Sequence, residues 1–142
     1  MAHPDLDELL NEAIDAATHF LENIGEFFPF VVTMSPDGKV SHAQEHLPGD
    51  KSAAQETVDH LLAGLKKAAA KGQYRATAIV SDSRATPPGG AEQPAIRIVL
   101  EHRTESPVTC YLPYKQANGR FDFGEVFAKR ADRQVFPLAA KS

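Results

Sequence analysis

The chain has no tryptophan and a single cysteine, Cys110, among its 142 residues. One thiol cannot close an internal disulfide, so no disulfide framework is expected and a reducing, cytoplasmic setting is. No apolar run approaches the roughly 20 residues that span a bilayer, which argues against a membrane helix. The opening stretch MAHPDLDELL is acidic where an export signal requires positive charge and then an apolar core, so export by that route is not expected. Lys and Arg are missing before Lys39, while eight acidic residues (Asp5, Asp7, Glu8, Glu12, Asp15, Glu22, Glu26 and Asp37) precede it. From Lys39 onward 15 basic residues stand against 11 acidic ones. The net charge of −4 leaves no surplus of Lys and Arg to neutralise phosphates, so nucleic acid is not an expected partner. The asymmetry is read as a helix with a solvated acidic face, with orientation against a basic partner as the alternative.

What the chain does contain is ordinary for a globular protein: 42% hydrophobic and 24% charged residues. Its length suits one domain that buries a core without disulfide or metal staples. That core is placed at about residues 5–127, with 128–142 as a mobile tail.

Leu6, Leu9, Leu10, Ala13, Ile14, Ala17, Leu21 and Ile24 recur at three-and-four spacing and predict a first amphipathic helix. Asp5 is the expected N-cap and Gly25 the left-handed C-terminal residue. The β-branched and aromatic run ending at Met34, then Ser35-Pro36-Asp37-Gly38, then Lys39-Val40-Ser41-His42, predicts a hairpin with strands near 29–35 and 38–43. A second helix is expected over about 53–71, with Ser52 and Gln55 as a capping pair. Gly64 inside it is explained as close packing against the sheet. Strands follow at Tyr74–Ser83, Gln93–Arg103 and Pro107–Lys115, separated by the Pro87-Pro88-Gly89-Gly90 loop. In the middle strand Ile96, Ile98, Leu100 and His102 alternate with Arg97, Val99, Glu101 and Arg103, which predicts one buried and one wetter face. The predicted fold is α+β: a five-stranded antiparallel sheet with two helices, in the order α-β-β-α-β-β-β, followed by a less regular segment.

Several motifs invite a chemical reading. His42-Ala43-Gln44-Glu45-His46 is a literal H-x-x-E-H, the pattern by which inverted zinc peptidases place two imidazoles on one helix face. Here it follows a strand and meets Leu47-Pro48-Gly49, so His42 and His46 are weak metal candidates and no zinc enzyme is expected. The Pro87–Gly90 loop lacks the spacing and the N–H groups of a phosphate cradle and reads as a stiff surface turn. Cys110, among Val108, Tyr111 and Leu112, reads as a small buried hydrophobe rather than a nucleophile served by His102. His19 and His60 lie on helices without a second ligand at suitable spacing. No motif calls for a cofactor.

The strings FPFVVTMSPDGKV, SDSRATPPGG, AIRIVLEHR, CYLPYK and FDFGEVFA are similar to those of a family of short, mostly bacterial proteins of unassigned function. That resemblance covers nearly the whole chain, implies a small bacterial cytosolic protein, and assigns no residue a role. The element order resembles the profilin-like group, which includes roadblock and longin domains, over roughly residues 5–115. Fold alone carries little function.

The candidate site is therefore the charged sheet face: Asp82, Arg84, Arg97, Glu101, Tyr111 and Lys115, with Arg97 and Lys115 as anchors for a carboxylate or phosphate. A solvated face with cross-strand ion pairs is its plain reading. The leading functional expectation is a non-enzymatic, regulatory or protein-interaction module that self-associates as a homodimer or binds another protein. A small-molecule or anion-binding domain using the charged face is second. An enzyme of unknown type is third, because no nucleophile–base pair or metal triad can be assembled and no catalytic residue is named.

Overall fold

The computed structural model describes residues 3–27, 29–43 and 54–136. Among the described residues two helices and seven strands follow in chain order: α1 Pro4–Ile24, β1 Phe30–Met34, β2 Val40–Ala43, α2 Ala54–Ala70, β3 Ala76–Ala85, β4 Gln93–His102, β5 Val108–Ala117, β6 Arg120–Phe123 and β7 Phe127–Arg130. The class is α+β with an antiparallel sheet, as expected. The five-stranded sheet and the order α-β-β-α-β-β-β are corrected by two further strands after β5.

The α1 stripe forms as the spacing requires, with Leu6, Leu9, Ala13, Ala17 and Leu21 buried. Ile24 lies beyond the last buried turn and is exposed. The N-cap is His3 rather than Asp5: Pro4 suits the first helical position, and His3 Nδ1 accepts the Asp5 N–H at 3.1 Å. Asp5 is thereby free for a distant partner. Gly25 closes the helix at φ 89°, donating its N–H to Leu21 O at 2.9 Å. In the β1–β2 turn Gly38 has φ 92°, and a Cβ there would lie 2.9 Å from the Arg75 guanidinium, so conformation and space both favour glycine.

The strands run β2-β1-β3-β4-β5-β6, with β7 also on β5. Side chains of one parity (Phe30, Val32 and Met34; Ala78 and Val80; Ile96, Ile98 and Leu100; Cys110, Leu112 and Tyr114) pack under α1. The other parity supplies Val31, Ile79 and Val99, which meet Leu61 and Leu65 of α2 and Val135 and Phe136 from the segment after β7. The sheet is thus a middle layer between two helices, which is why all five β1 residues are buried.

The outer side of β5 is shared by two short strands. Tyr114 faces Phe123 of β6, whereas Tyr111 faces Phe127 of β7. Gly124, Glu125 and Val126 therefore stand opposite only Leu112 and Pro113, a one-residue bulge anchored by Gly124 N–H to Pro113 O at 2.8 Å. The bulge reverses the parity, moving Phe127 to the α2 side, where its ring stacks on Tyr111 at 5.4 Å. The segment expected to be a tail from residue 128 thus supplies most of β7 and two core residues. Residues 137–142 and the proposed cap Ser52 lie outside the described residues.

Gly64 is not packed against the sheet: a Cβ there would meet nothing within 4 Å. Gly64→Ala is therefore expected to stabilise the protein by about 1 kcal/mol, read as a higher urea midpoint with unchanged slope.

Candidate functional site

The six residues of the charged face separate into different environments. Asp82 points to the α1 side, where its Oδ1 accepts the Tyr114 hydroxyl at 2.7 Å. Burial, and then that carboxylate, push the Tyr114 phenol well above its usual range. Arg84 lies near the β3–β4 turn and pairs with Glu92 at 3.6 Å, both well exposed. Arg97 and Tyr111 are cross-strand partners on the α2 side, and Lys115 is paired in register with Asp122 further along β5. Of the six, Arg97, Tyr111 and Lys115 lie on the α2 side and keep some exposure.

Glu101 overturns the expectation of a wet face. Its parity with Arg97 and Val99 was legible, yet it is 1% exposed, because the segment after β7 crosses above it. Its two carboxylate oxygens accept the N–H groups of Gln134, Val135 and Phe136 at 2.8–3.1 Å. Three consecutive amides converging on one carboxylate satisfy a charge that burial would otherwise make costly. Arg133 fixes the start of this strap, donating to His102 O at 3.1 Å and Glu105 O at 3.0 Å. On the neighbouring strand, Thr77 stands directly opposite Glu101, and its buried hydroxyl has no hydrogen-bond partner among the described residues.

A second constellation is absent from the sequence reading. At the N-terminal end of α1, Asp5 Oδ2 lies 2.9 Å from His102 Nε2, 3.3 Å from Arg75 Nε and 3.6 Å from His3 Nδ1. The His3, Asp5 and His102 ligand atoms lie within 4.8 Å of one another, close enough for one ion. Their hydrogen bonding does not fit a metal. The Thr104 N–H donates to His102 Nδ1 at 3.1 Å, which places the neutral ring's hydrogen on Nε2, donating to Asp5. His3 Nδ1 is occupied by the Asp5 N–H, and the Arg75 guanidinium already neutralises the carboxylate. An ion would have to break these bonds beside a fixed positive charge. The cluster is a tie joining α1 to the ends of β3 and β4. Alternation in β4 correctly sets His102 on the buried side, but no local signal pairs it with a residue 97 positions away.

The remaining motifs resolve locally. His42 sits in β2, not on a helix, and its Nε2 lies 3.0 Å from Glu12 of α1; Gln44, Glu45 and His46 lie outside the described residues. Cys110 is buried opposite Ile98 rather than His102, and burial pushes its thiol up. Pro87–Gly90 closes a type II turn, with Gly89 at φ 74° and Gly90 N–H to Pro87 O at 3.0 Å.

Two of the clefts on the α2 side border residues of the charged face. One, of about 480 Å³, lies between α2, β3, β4 and the strap and is lined by Arg97, Ser81, Ser83, Asp59, Leu62 and Gln134 among others. The other, of about 540 Å³, lies at the bulge, with walls from Pro87, Pro113, Val126 and Phe127 and charges from Lys115, Asp122 and Glu125. No family model, curated protein or solved structure matches the chain.

The hydrogen bond from His102, reinforced by Arg75 and His3, holds the Asp5 carboxyl below the usual aspartate range. Because the folded value lies below the unfolded one, its stabilisation is present above about pH 4 and is lost as pH falls through the folded value. Asp5→Asn is expected to lower the urea midpoint at neutral pH and to narrow the loss between neutral pH and about pH 3; an unchanged acid limb contradicts the assignment.

Proposed function

We propose that this protein is a non-enzymatic protein-interaction module whose partner is a second copy of itself, joined along the edge made by β6 and β7. The observation that carries this reading is the bulge edge. Beyond β6 and β7 no further strand pairs among the described residues, so their outer backbone groups face outward. At the junction Val126 is 40% exposed, one of only two large hydrophobic side chains so exposed among the described residues. Asp122 and Glu125 outnumber Arg120 on the β6 side of Val126, and Lys129 and Arg130 lie on the β7 side. A second copy laid antiparallel across Val126 sets each acidic half against a basic half, the self-complementarity that a two-fold interface requires. The buried Glu101 and His102 and the part-buried Asp5 support the same reading, since they are committed to holding chain segments together.

A small-molecule or anion-binding domain is the second reading, favoured by one observation: the Arg97 guanidinium, half-buried on the open face, has no hydrogen-bond or ion-pair partner among the described residues.

Light scattering across micromolar to millimolar protein tests the interface. A dimer is expected that Val126→Asp converts to monomer, and that Lys129→Glu with Arg130→Glu also weakens. A wild-type chain that stays monomeric at millimolar concentration, or a dimer indifferent to these exposed substitutions, overturns it.

A further inference from the structure

We propose that the cleft at Arg97 is a binding site for a compact monocarboxylate with an apolar body. The inference rests on the second reading above and assigns the chemistry of its ligand. Arg97 and Ser81 are direct cross-strand partners on β4 and β3, and Ser83 lies two residues along β3 on the same side. All three line the cleft of about 480 Å³, and neither serine hydroxyl hydrogen-bonds to a described residue. Gln134, held in place through the bond from its backbone N–H to Glu101, contributes another wall. The cleft thus collects a planar guanidinium fork and hydroxyl donors, and its volume lies in the range of small-molecule sites. Asp82 lines it too, but its carboxylate is turned to the α1 side by Tyr114.

Two further features narrow the class. Arg97 is the one cation among the described residues that line the cleft, which suits a single carboxylate better than a dianion such as inorganic phosphate. Val58 and Leu62 of α2 give the cleft an apolar wall. A carboxylate seated on the Arg97 fork can therefore lay a short hydrocarbon body against α2.

The test is an NMR titration of the full chain with sodium acetate, sodium butyrate and inorganic phosphate, each against sodium chloride at matched ionic strength. The expected result is saturable shifts of the Arg97 Nε–H and the Ser81 and Ser83 amides with butyrate. Acetate should bind more weakly, by about fourfold per methylene removed from contact. Arg97→Gln should weaken butyrate by roughly 10- to 100-fold. Arg97→Lys, which keeps the charge without the fork, should fall between the two. Neither variant removes a contact seen in the fold, so unchanged shifts elsewhere serve as the folding control. Saturation by phosphate and not by butyrate overturns the carboxylate inference and leaves the anion-binding reading standing. Saturation by no anion overturns both, and butyrate binding that survives Arg97→Gln unchanged places the ligand elsewhere.

Discussion

The carboxylate of Glu101 is the contact on which the α2 side of this molecule turns. An acidic side chain in the middle of a sheet, 1% exposed, needs compensation wherever water is excluded. It finds that compensation in the backbone rather than in a basic side chain, as three successive amides of residues 134–136 point at its two oxygens. The bond works in both directions. The amides satisfy the charge, and the charge gives an otherwise irregular segment a place to dock. Once docked, that segment delivers Val135 and Phe136 to the core beside Val31, Ile79, Val99, Leu61 and Leu65. It also sets Gln134 at the wall of the Arg97 cleft.

The two faces of the sheet are closed by different means. On the α1 side a long amphipathic helix covers alternating apolar residues from four successive strands, a solution that periodicity alone describes. On the α2 side the helix packs over β1 and β3, and the remaining surface is divided between the strap and open clefts. The open surface there carries Arg97, Tyr111 and Lys115, which α2 leaves at least partly uncovered. Polar ties fasten both arrangements at the same end of the molecule. Asp5 with His102 and Arg75 secures α1, and Arg133 with the His102 and Glu105 carbonyls secures the strap.

Much of this was legible in the residues and some of it could not have been. Helical spacing, the Pro-Asp-Gly turn and the alternation in β4 report on neighbours three, four or two positions apart, and these elements appear where expected. The last strands escaped because a bulge at Gly124–Val126 breaks the alternation that would have announced them, splitting one line of pairing into two four-residue pieces. Glu101 was misread as solvated because its partners are amides, which every residue carries and no composition reveals. Grouping charged residues of neighbouring strands set Arg97, Tyr111 and Asp82 on one face, and could not show that the Asp82 carboxylate is engaged by Tyr114 on the other. The tie from Asp5 to His102 joins distant parts of the chain and leaves no local trace.

Native-state hydrogen exchange at Gln134, Val135 and Phe136 bears most directly on the central role given to Glu101. If the carboxylate holds the strap, all three amides should exchange only through opening close to the global unfolding free energy. In Glu101→Gln they should lose that protection while the amides of α1 retain theirs relative to the variant's own stability. Exchange in the wild-type protein at the rate of an unstructured peptide, or protection that Glu101→Gln leaves intact, would contradict the account.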